Sequence, residues 1–466
     1  MVGPKYARPS TPMAPSFKEA PADAQQSEGW RIAHPGDQNP RGAWWEMYGD
    51  QQLDALEQQI EPANQTLKIA EANFRQARAA IGYSRSFEAP TVGVNPSIST
   101  VRDSAHQPYF SPALANNGGG DMALPAEASW EIDLWGRIRR GVTAAREQAQ
   151  ASAADEASVR LSLHADLALD YFELRSADAQ KRLLDDTVQA YSKALQLTEN
   201  RYHGGVDPKA VVDQARTQLQ DAQVLDSDVM VARAQYEHAI AILIGKPPAA
   251  FSLPPMPLDT SGPNLPPAPV LLPSELLERR PDIAAAERRM AAANEQIGIA
   301  EAAYYPTLSL SALAGFQGTS ALNWLNWPSR FWAVGPQLSE TLFDAGRRHA
   351  SKQIAEAGYD ATVATYRQTT LSAFQEVEDN LAVLKVLSTE SQQQRTATSA
   401  AEETLHLFQN RYEGGVDTYL QVVTSQTTAL NNERNDIDIR RRELDASVLL
   451  IKAIGGDWTT AQLPKV

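Results

Sequence analysis

The spacing of helix breakers along the chain predicts long helices. Four segments contain neither glycine nor proline: 142–203, 209–244, 359–413 and 416–454. All are rich in Ala, Gln, Glu, Leu and Arg, which favour helix, and at roughly 1.5 Å per residue the first would make a rod of about 90 Å. In the last segment apolar residues recur every seven positions, as in a helix that packs lengthwise on its neighbours: Val423, Leu430, Ile437, Leu444 and Ile451.

A second pattern, the alternation of apolar and polar residues, predicts strands. From Met122 to Leu134 every second residue is apolar, while the opposite side carries Glu127, Ser129, Glu131 and Asp133. Similar alternation occupies 90–101, 306–316 and 330–343. Each segment has about the length with which a tilted strand crosses a bilayer. We expect two hairpins, 90–101 with 122–134 and 306–316 with 330–343, joined by polar, glycine-rich loops such as 116–120.

The chain is internally duplicated. The heptapeptide Arg201–Asp207 returns as Arg411–Asp417, 210 residues later, with one residue changed. Gly136-Arg137 and Ile244-Gly245 return at the same offset. The predicted organisation is an extended N-terminal segment (1–48), a first repeat (49–245), a Pro-rich linker (246–273), a second repeat (274–455) and a C-terminal tail (456–466). Each repeat then holds one helix, one strand hairpin and one long helical hairpin.

The heptapeptides have the chemistry of turns between two helices. Gly204-Gly205 suits a left-handed helix end, Asp207 is a good N-cap, and Pro208 is suited to the first helical position. Gly414-Gly415, Asp417 and Thr418 repeat the arrangement. We therefore expect the tips of the two helical hairpins near 201–208 and 411–418.

Composition excludes several classes of function. The net charge is −15 without a long basic run, which argues against a nucleic-acid partner. There is no cysteine, and the seven histidines have no ligand spacing, so we expect neither a metal site nor a cofactor. No nucleophile and base can be paired from their spacing, so an enzyme is not expected. No run of about 20 apolar residues occurs, which excludes a membrane-spanning helix.

Two strand hairpins in lipid would leave sheet edges with unsatisfied backbone groups, so other chains must complete a barrel. Four strands per chain give eight in a dimer and twelve in a trimer, and only the larger number leaves an open lumen. A homotrimer is the expectation. The alternative is a soluble, elongated coiled-coil scaffold, which explains the rods but not the paired alternating segments. Extraction distinguishes the two alternatives, because the scaffold would be soluble without detergent and the membrane barrel would need it.

Several motifs resemble those of TolC-type outer-membrane factors, particularly the OprM/NodT branch. They are the duplicated halves, the paired strands, the Arg-Tyr-X-X-Gly-Val tips and three further sequences: Gly3-Pro4-Lys5-Tyr6-Ala7-Arg8-Pro9, Trp44-Trp45 and Arg279-Arg280-Pro281-Asp282-Ile283. The resemblance implies a mixed α and β fold in which a trimeric, 12-stranded β-barrel in the outer membrane continues into a periplasmic α-barrel. It implies an exit duct for small molecules that docks on a periplasmic adaptor and an inner-membrane transporter of the RND type.

The resemblance also assigns candidate sites. It places a periplasmic gate at matching positions in both tips: Arg411, Tyr412, Asp417, Leu420, Arg201, Tyr202, Asp207 and Asp213. It places adaptor docking at the turns: Gly204, Gly205, Val206, Gly414, Gly415 and Val416. The Arg-Tyr pairs are alternatively helix-end packing, and Leu420 alternatively a packed helix residue. Relatives carry an aspartate where this chain has Thr424, so an acidic constriction is either missing or moved to Asp417 or Asp213.

Two expectations concern the membrane itself. Four aromatic residues form either a membrane-interface girdle or packing within a loop: Trp324, Trp327, Phe331 and Trp332. Members of this branch usually begin at a lipidated cysteine before Gly-Pro-X-Tyr, where this chain has Met1. We therefore expect no lipid anchor on this chain, and a leader that has been removed or an engineered start.

Overall fold

The computed structural model describes residues 1–11, 16–19, 30–32, 43–102, 104, 106, 119–259, 268–270, 279–456 and 458–465. Its α-helices are α1 (Gln51–Glu57), α2 (Ile60–Ala63), α3 (Gln65–Ser86), α4 (Arg137–His203), α5 (Lys209–Leu243), α6 (Pro281–Ala302), α7 (Arg347–Glu413) and α8 (Tyr419–Ala453). Its strands are β1 (Trp30–Ile32), β2 (Thr91–Val94), β3 (Ser97–Val101), β4 (Gly119–Ile132), β5 (Ala268–Val270), β6 (Thr307–Gly318) and β7 (Arg330–Ser339).

The four long helices are confirmed. Helices α4 and α7 have 67 residues each, about 100 Å, and each returns through a helix of 35 residues, α5 or α8. Helix α4 packs along α5 and also touches α8, while α7 packs along α8. Of the five apolar residues that recur at every seventh position of α8, four are buried and Val423 is half-buried.

Glycine ends the long helices at the tips, whereas the predicted aspartate cap of the following helix is not formed. Gly205 has φ +72°, and the amides of Gly205 and Val206 donate to the carbonyls of Tyr202 and Arg201, at 3.0 and 2.8 Å, as in a Schellman motif. The prediction that Asp207 caps α5, with Pro208 as its first residue, is wrong by one residue. Pro208 flanks the helix without a side-chain cap, and Thr418 does the same for α8.

The strands of the two repeats form one antiparallel sheet in the order β2-β4-β6-β7, with β3 also paired to β4. All four alternating segments contain strands. Segment 90–101 breaks at Asn95-Pro96, where the Asn95 amide donates to the carbonyl of Pro125 at 3.2 Å. Strand β7 ends at Ser339, so residues 340–343 lie outside it. Gly119 and Gly120 belong to β4 instead of a loop, and 116–118 lie outside the described residues.

The register separates the two faces of this sheet. On one face Ala128 pairs with Ala312, which pairs with Val334, and the neighbouring rows are equally apolar. On the other face Glu131 pairs with Ser309, and Ser309 with Gln337. The apolar face is exposed in the single chain: Trp332 is 74% exposed and Val334 62%. Hydrophobic contact within the chain therefore does not cover this face.

The main core lies beside the middle of the rods. Helices α1 and α2 bury Leu53 and Ile60 against α4, where Leu167 and Tyr171 are also buried. A buried ionic network joins α4 to α5. Asp178 of α4 accepts hydrogen bonds from Arg175 of the same helix at 3.2 Å and from Arg233 of α5 at 2.6 Å. Part of the predicted N-terminal segment and of the Pro-rich linker lies outside the described residues. Their described parts include β1 and β5, which pair in parallel.

Residues 1–11 form a strap across α4 and α6. Arg140 of α4 donates to the carbonyl of Val2 at 2.7 Å and to Glu295 of α6 at 2.7 Å. The strap approaches α6 closely at Gly3, where an added Cβ would lie 2.6 Å from the Cα of Gly298. Tyr6 continues the contact by donating to Glu287 at 2.6 Å.

We predict opposite effects for alanine at two helical glycines. A Cβ at Gly298 would lie 2.3 Å from Nε of Arg140, whereas a Cβ at Gly82 in α3 meets nothing within 4 Å. Gly298→Ala should lower the free energy of unfolding by about 1–3 kcal/mol through overpacking, whereas Gly82→Ala should raise it by about 0.5–1 kcal/mol. Thermal unfolding followed by circular dichroism measures both. Equal shifts in the two variants would show that the contact with Arg140 does not constrain α6 at Gly298.

Candidate functional site: the helical tips

The tip of the first repeat is closed by an ion pair. Arg201, in the last turn of α4, donates from Nε to Asp207 Oδ2 at 2.8 Å across the glycine turn. The aspartate side chain is only 13% exposed. The hydrogen bond from Arg201 lowers the pKa of Asp207, and the same bond raises the pKa of Arg201. Asp207 is therefore a carboxylate at neutral pH.

The second repeat reaches this ion pair through one tyrosine. The Tyr412 hydroxyl donates to Asp207 Oδ2 at 2.8 Å, and the Arg201 guanidinium lies 4.9 Å from the centroid of the Tyr412 ring. Burial raises the pKa of Tyr412, and the hydrogen bond to Asp207 is the second largest cause of the increase. The phenol is therefore a stable donor, and the three side chains form one contact between α7 and the first tip.

Behind this contact lies a small apolar cluster. Tyr412 and Tyr419 are 5% and 4% exposed, with ring centroids 5.3 Å apart, and they pack with Ala215 and Val422. Burial raises the pKa of Tyr419 to about 12. Tyr419 is not among the residues predicted from the sequence. Its counterpart 210 residues earlier is Lys209, so the duplication carries no signal for it.

The two tips share a sequence but not their contacts. Arg411 forms an ion pair with Asp417, as Arg201 does with Asp207. Tyr202, the counterpart of Tyr412, is instead 41% exposed. Within the single chain the tyrosine contact therefore runs in one direction only, from the second repeat to the first.

The remaining predicted tip residues are exposed. Leu420 is 55% exposed, and Val206 and Val416, at the two turns, are 64% and 68% exposed. Asp213 has a half-exposed side chain 3.9 Å from Arg216. Thr424 donates to the carbonyl of Leu420 within its own helix at 2.9 Å. The structure thus brings Arg201, Asp207 and Tyr412 together and leaves Leu420 and Asp213 outside that contact.

The four predicted interface aromatics lie at one end of the sheet. Trp324 and Trp327 belong to the β6–β7 connection, where the Arg330 guanidinium lies 4.3 Å from the centroid of the Trp327 ring. Phe331 and Trp332 begin β7 and lie on opposite faces, because Phe331 pairs with Gly315 and Trp332 with Ala314. Only Trp332 of these two shares the apolar face.

The described part of the chain lacks two features, a membrane-spanning helix and a cluster of metal ligands. None of its helices combines the length and apolarity needed to cross a membrane. Nor do its histidine, aspartate and glutamate side chains form a group of three or more that could hold a metal ion.

A family model described as outer membrane efflux protein matches residues 56–246 and 272–456. The chain belongs to this family. It is 30% identical to the probable efflux pump outer membrane protein TtgC of Pseudomonas putida, over 98% of this chain and 92% of that protein. It is also 30% identical to the outer membrane protein OprJ of Pseudomonas aeruginosa, over 98% of this chain and 93% of that protein.

Solved structures agree with this assignment. The outer-membrane channel OprN superposes with a TM-score of 0.87 at 27% identity, covering 98% of this chain and 99% of that chain. VceC of Vibrio cholerae superposes with a TM-score of 0.81 at 27% identity, covering 89% and 98%. The fold, mostly helical with one large antiparallel sheet, is that of outer-membrane efflux channels. The protein is an outer-membrane efflux channel, and the soluble scaffold is not favoured.

We predict that Asp207 makes the stability of the tips depend on acidity. Its pKa is lower in the folded chain than in the unfolded one, so the stabilisation is complete above the unfolded value, near 4, and is lost as the pH falls through the folded value. Asp207→Asn should flatten this part of the curve of unfolding free energy against pH. The control, Asp221→Asn, changes an exposed aspartate of α5 outside the tip contact and should leave this part of the curve unchanged. Chemical denaturation between about pH 2 and pH 6 makes the measurement, and parallel curves for both variants would contradict the assignment.

Proposed function

We propose that three copies of this chain form one conduit through the outer membrane, with a 12-stranded β-barrel continuing into a periplasmic α-barrel. The observation that supports this most directly is the sheet with one exposed apolar face and one polar face. Lipid is the solvent that would make the apolar face favourable, and the polar face would then line a water-filled lumen. This arrangement explains why the chain leaves so much apolar sheet surface uncovered.

The sheet edges support association with other copies. Strands β2 and β3 form one edge and β7 the other, and neither edge has a further partner among the described residues. An open edge within lipid leaves backbone N–H and C=O groups unsatisfied at several kcal/mol each. Joining the β7 edge of one copy to the β2–β3 edge of the next satisfies both, and three copies close the wall around an open lumen.

The tips are proposed to meet the rest of a tripartite efflux pump. Relatives are named as outer-membrane components of efflux pumps, and one of them as a component of a toluene efflux pump. The exposed Val206 and Val416 at the glycine turns suit docking of a periplasmic adaptor, which would connect the conduit to an inner-membrane transporter of the RND type. In this function the chain passes small molecules and performs no chemistry, so it needs no cofactor.

The contact of Tyr412 with Asp207 is proposed to hold the periplasmic end closed. It ties the second-repeat hairpin to the first, and breaking it would free α7 and α8 to move outward. With three-fold symmetry, each residue facing the lumen becomes a ring of three. Since Asp417 is held by Arg411 and Asp213 is half-exposed, Asp213 is the better candidate for an acidic ring. Leu420 is a candidate for an apolar ring beside it.

The lipid-facing assignment is tested by charge on each face of β7. Val334→Arg should cost about 2–4 kcal/mol near the middle of a bilayer and reduce the yield of membrane-inserted trimer. Gln337→Arg, three residues away on the polar face, should insert normally. Trimer yield after detergent extraction, measured by size-exclusion chromatography with light scattering, gives the comparison. Equal yields would contradict the assignment, as would a wild-type chain that stays monomeric.

The gate is tested by conductance in a planar lipid bilayer. Tyr412→Phe removes a hydrogen bond to a charged acceptor, worth about 1.5–3 kcal/mol, so the open population should rise about tenfold or more. Tyr202→Phe is the matched control, since Tyr202 is the exposed counterpart in the other repeat, and it should conduct like the wild type. Equal conductance of the two variants would show that Tyr412 does not form the gate. No conductance in any variant would contradict the conduit.

A further inference from the structure

A polar recess lies on α4 where α5 and α8 flank it. Its volume is about 290 Å³, and its walls include Glu173, Ser176 and Gln180 of α4, Tyr236 of α5, and Asp438 and Arg441 of α8. It is far from the tips, near the middle of the long helices. None of these residues takes part in the proposed gate or in the docking surface.

The recess is on the open side of α4. Tyr171, Arg175 and Asp178 face the segments that cover this helix: Tyr171 donates to Asp50, Arg175 to the Pro254 carbonyl, and Asp178 accepts from the Met256 amide. At 100° per residue, Glu173, Ser176 and Gln180 project from the opposite side. In the proposed conduit, the segments around Asp50 and Pro254 that cover α4 would lie on the outer surface, because on the inner surface they would block the passage. The recess then faces the lumen.

Negative charge is in excess in this recess. Arg441 is the cation in the wall, and three carboxylates share it: Glu173 at 2.6 Å, Asp445 at 2.7 Å and Asp438 at 2.8 Å. A single guanidinium cannot neutralise three carboxylates, and the side chain of Asp438 is 44% exposed. Burial raises the pKa of Asp445 to about 7, while Arg441 acts in the opposite direction. Without Asp445, Glu173 and Asp438 are still two carboxylates against one guanidinium.

An unpartnered hydroxyl also points to a ligand. Ser176 is 2% exposed and lines the recess, yet its Oγ has no hydrogen-bond partner in the structure. A buried hydroxyl without a partner costs about 1–3 kcal/mol, so a donor that enters the recess is favoured. The half-buried ring of Tyr236 adds an aromatic wall of the kind that attracts cations.

The second repeat shows that the shared fold does not require this chemistry. The residues 210 positions after Glu173 and Ser176 are Val383 and Val386, which are 41% and 61% exposed. Two of the three α4 positions named in the recess are therefore apolar on the equivalent helix, whereas Gln180 corresponds to Glu390. The combination of Glu173 and Ser176 is a feature of α4 that α7 does not repeat.

We propose that this recess binds a protonated amine carried by a small organic molecule. The ammonium group would donate to Ser176 Oγ and to the carboxylates of Glu173 and Asp438, with its apolar part against Tyr236. The location in a lumen rests on the proposed function, whereas the binding itself rests only on the recess. The inner wall of the duct would then hold cationic solutes weakly in transit.

The test titrates the full chain in non-ionic detergent with benzylammonium, using benzyl alcohol as a neutral ligand of similar shape, by isothermal titration calorimetry at pH 7. Wild type should bind benzylammonium saturably and much more tightly than benzyl alcohol. Ser176→Ala should weaken binding about fivefold through loss of one hydrogen bond, and Asp438→Asn about tenfold through loss of one charge. Circular dichroism verifies that each variant keeps its helix content.

The matched control is Asp228→Asn. Asp228 is the counterpart of Asp438, 210 residues earlier, is exposed, and is not part of the recess wall, so binding should not change. Three results would each overturn the proposal: no saturable binding to wild type, equal binding of benzyl alcohol, or equal weakening by D228N and D438N. Because the titration needs no conductance, binding can succeed or fail separately from the conduit.

Discussion

The fold depends on the need of an open β-sheet to find partners for its edges and its apolar face. A single chain pairs β2, β4, β6 and β7 but leaves Val334 and Trp332 exposed on the apolar face. In water such a surface would promote aggregation, whereas in lipid, with the edges joined to other copies, it is the stable arrangement. Each strand hairpin leads into a 67-residue helix, so in the proposed conduit the long helices would continue the wall that the strands begin.

The duplication provides two copies of one unit, and the proposed gate and the proposed binding recess lie where the surroundings of the copies differ. Both tips have the same turn and the same arginine–aspartate pair, but only Tyr412 is buried against the other repeat. Likewise, α4 has Glu173 and Ser176 where α7 has valines. Repetition therefore determines the architecture. Tertiary packing makes the tyrosine contact at the tips asymmetric although the side chains are identical, and substitutions between the copies contribute to the polar recess at mid-height.

The contact at the tips and the strap of residues 1–11 are each held by several interactions of moderate strength. The tip combines an ion pair, a hydrogen bond to a carboxylate and a ring packed on a guanidinium, each of moderate strength. The strap of residues 1–11 works similarly, through Arg140 and the close approach at Gly298. Contacts of moderate strength would suit the proposed conduit, in which the gate has to open and a bound solute has to leave.

The sequence by itself determined the long helices, the strand segments and the family, because breaker spacing, alternation and a repeated heptapeptide are local signals that survive without knowledge of the fold. It did not determine that the two hairpins join in one sheet through β4 and β6, or that Tyr412 is buried while Tyr202 is exposed. It missed Tyr419, whose counterpart is a lysine, and it placed the start of α5 one residue early, because Asp207 is used by Arg201. These outcomes depend on residues about 200 positions apart, and only tertiary packing decides which of two identical side chains meets a partner.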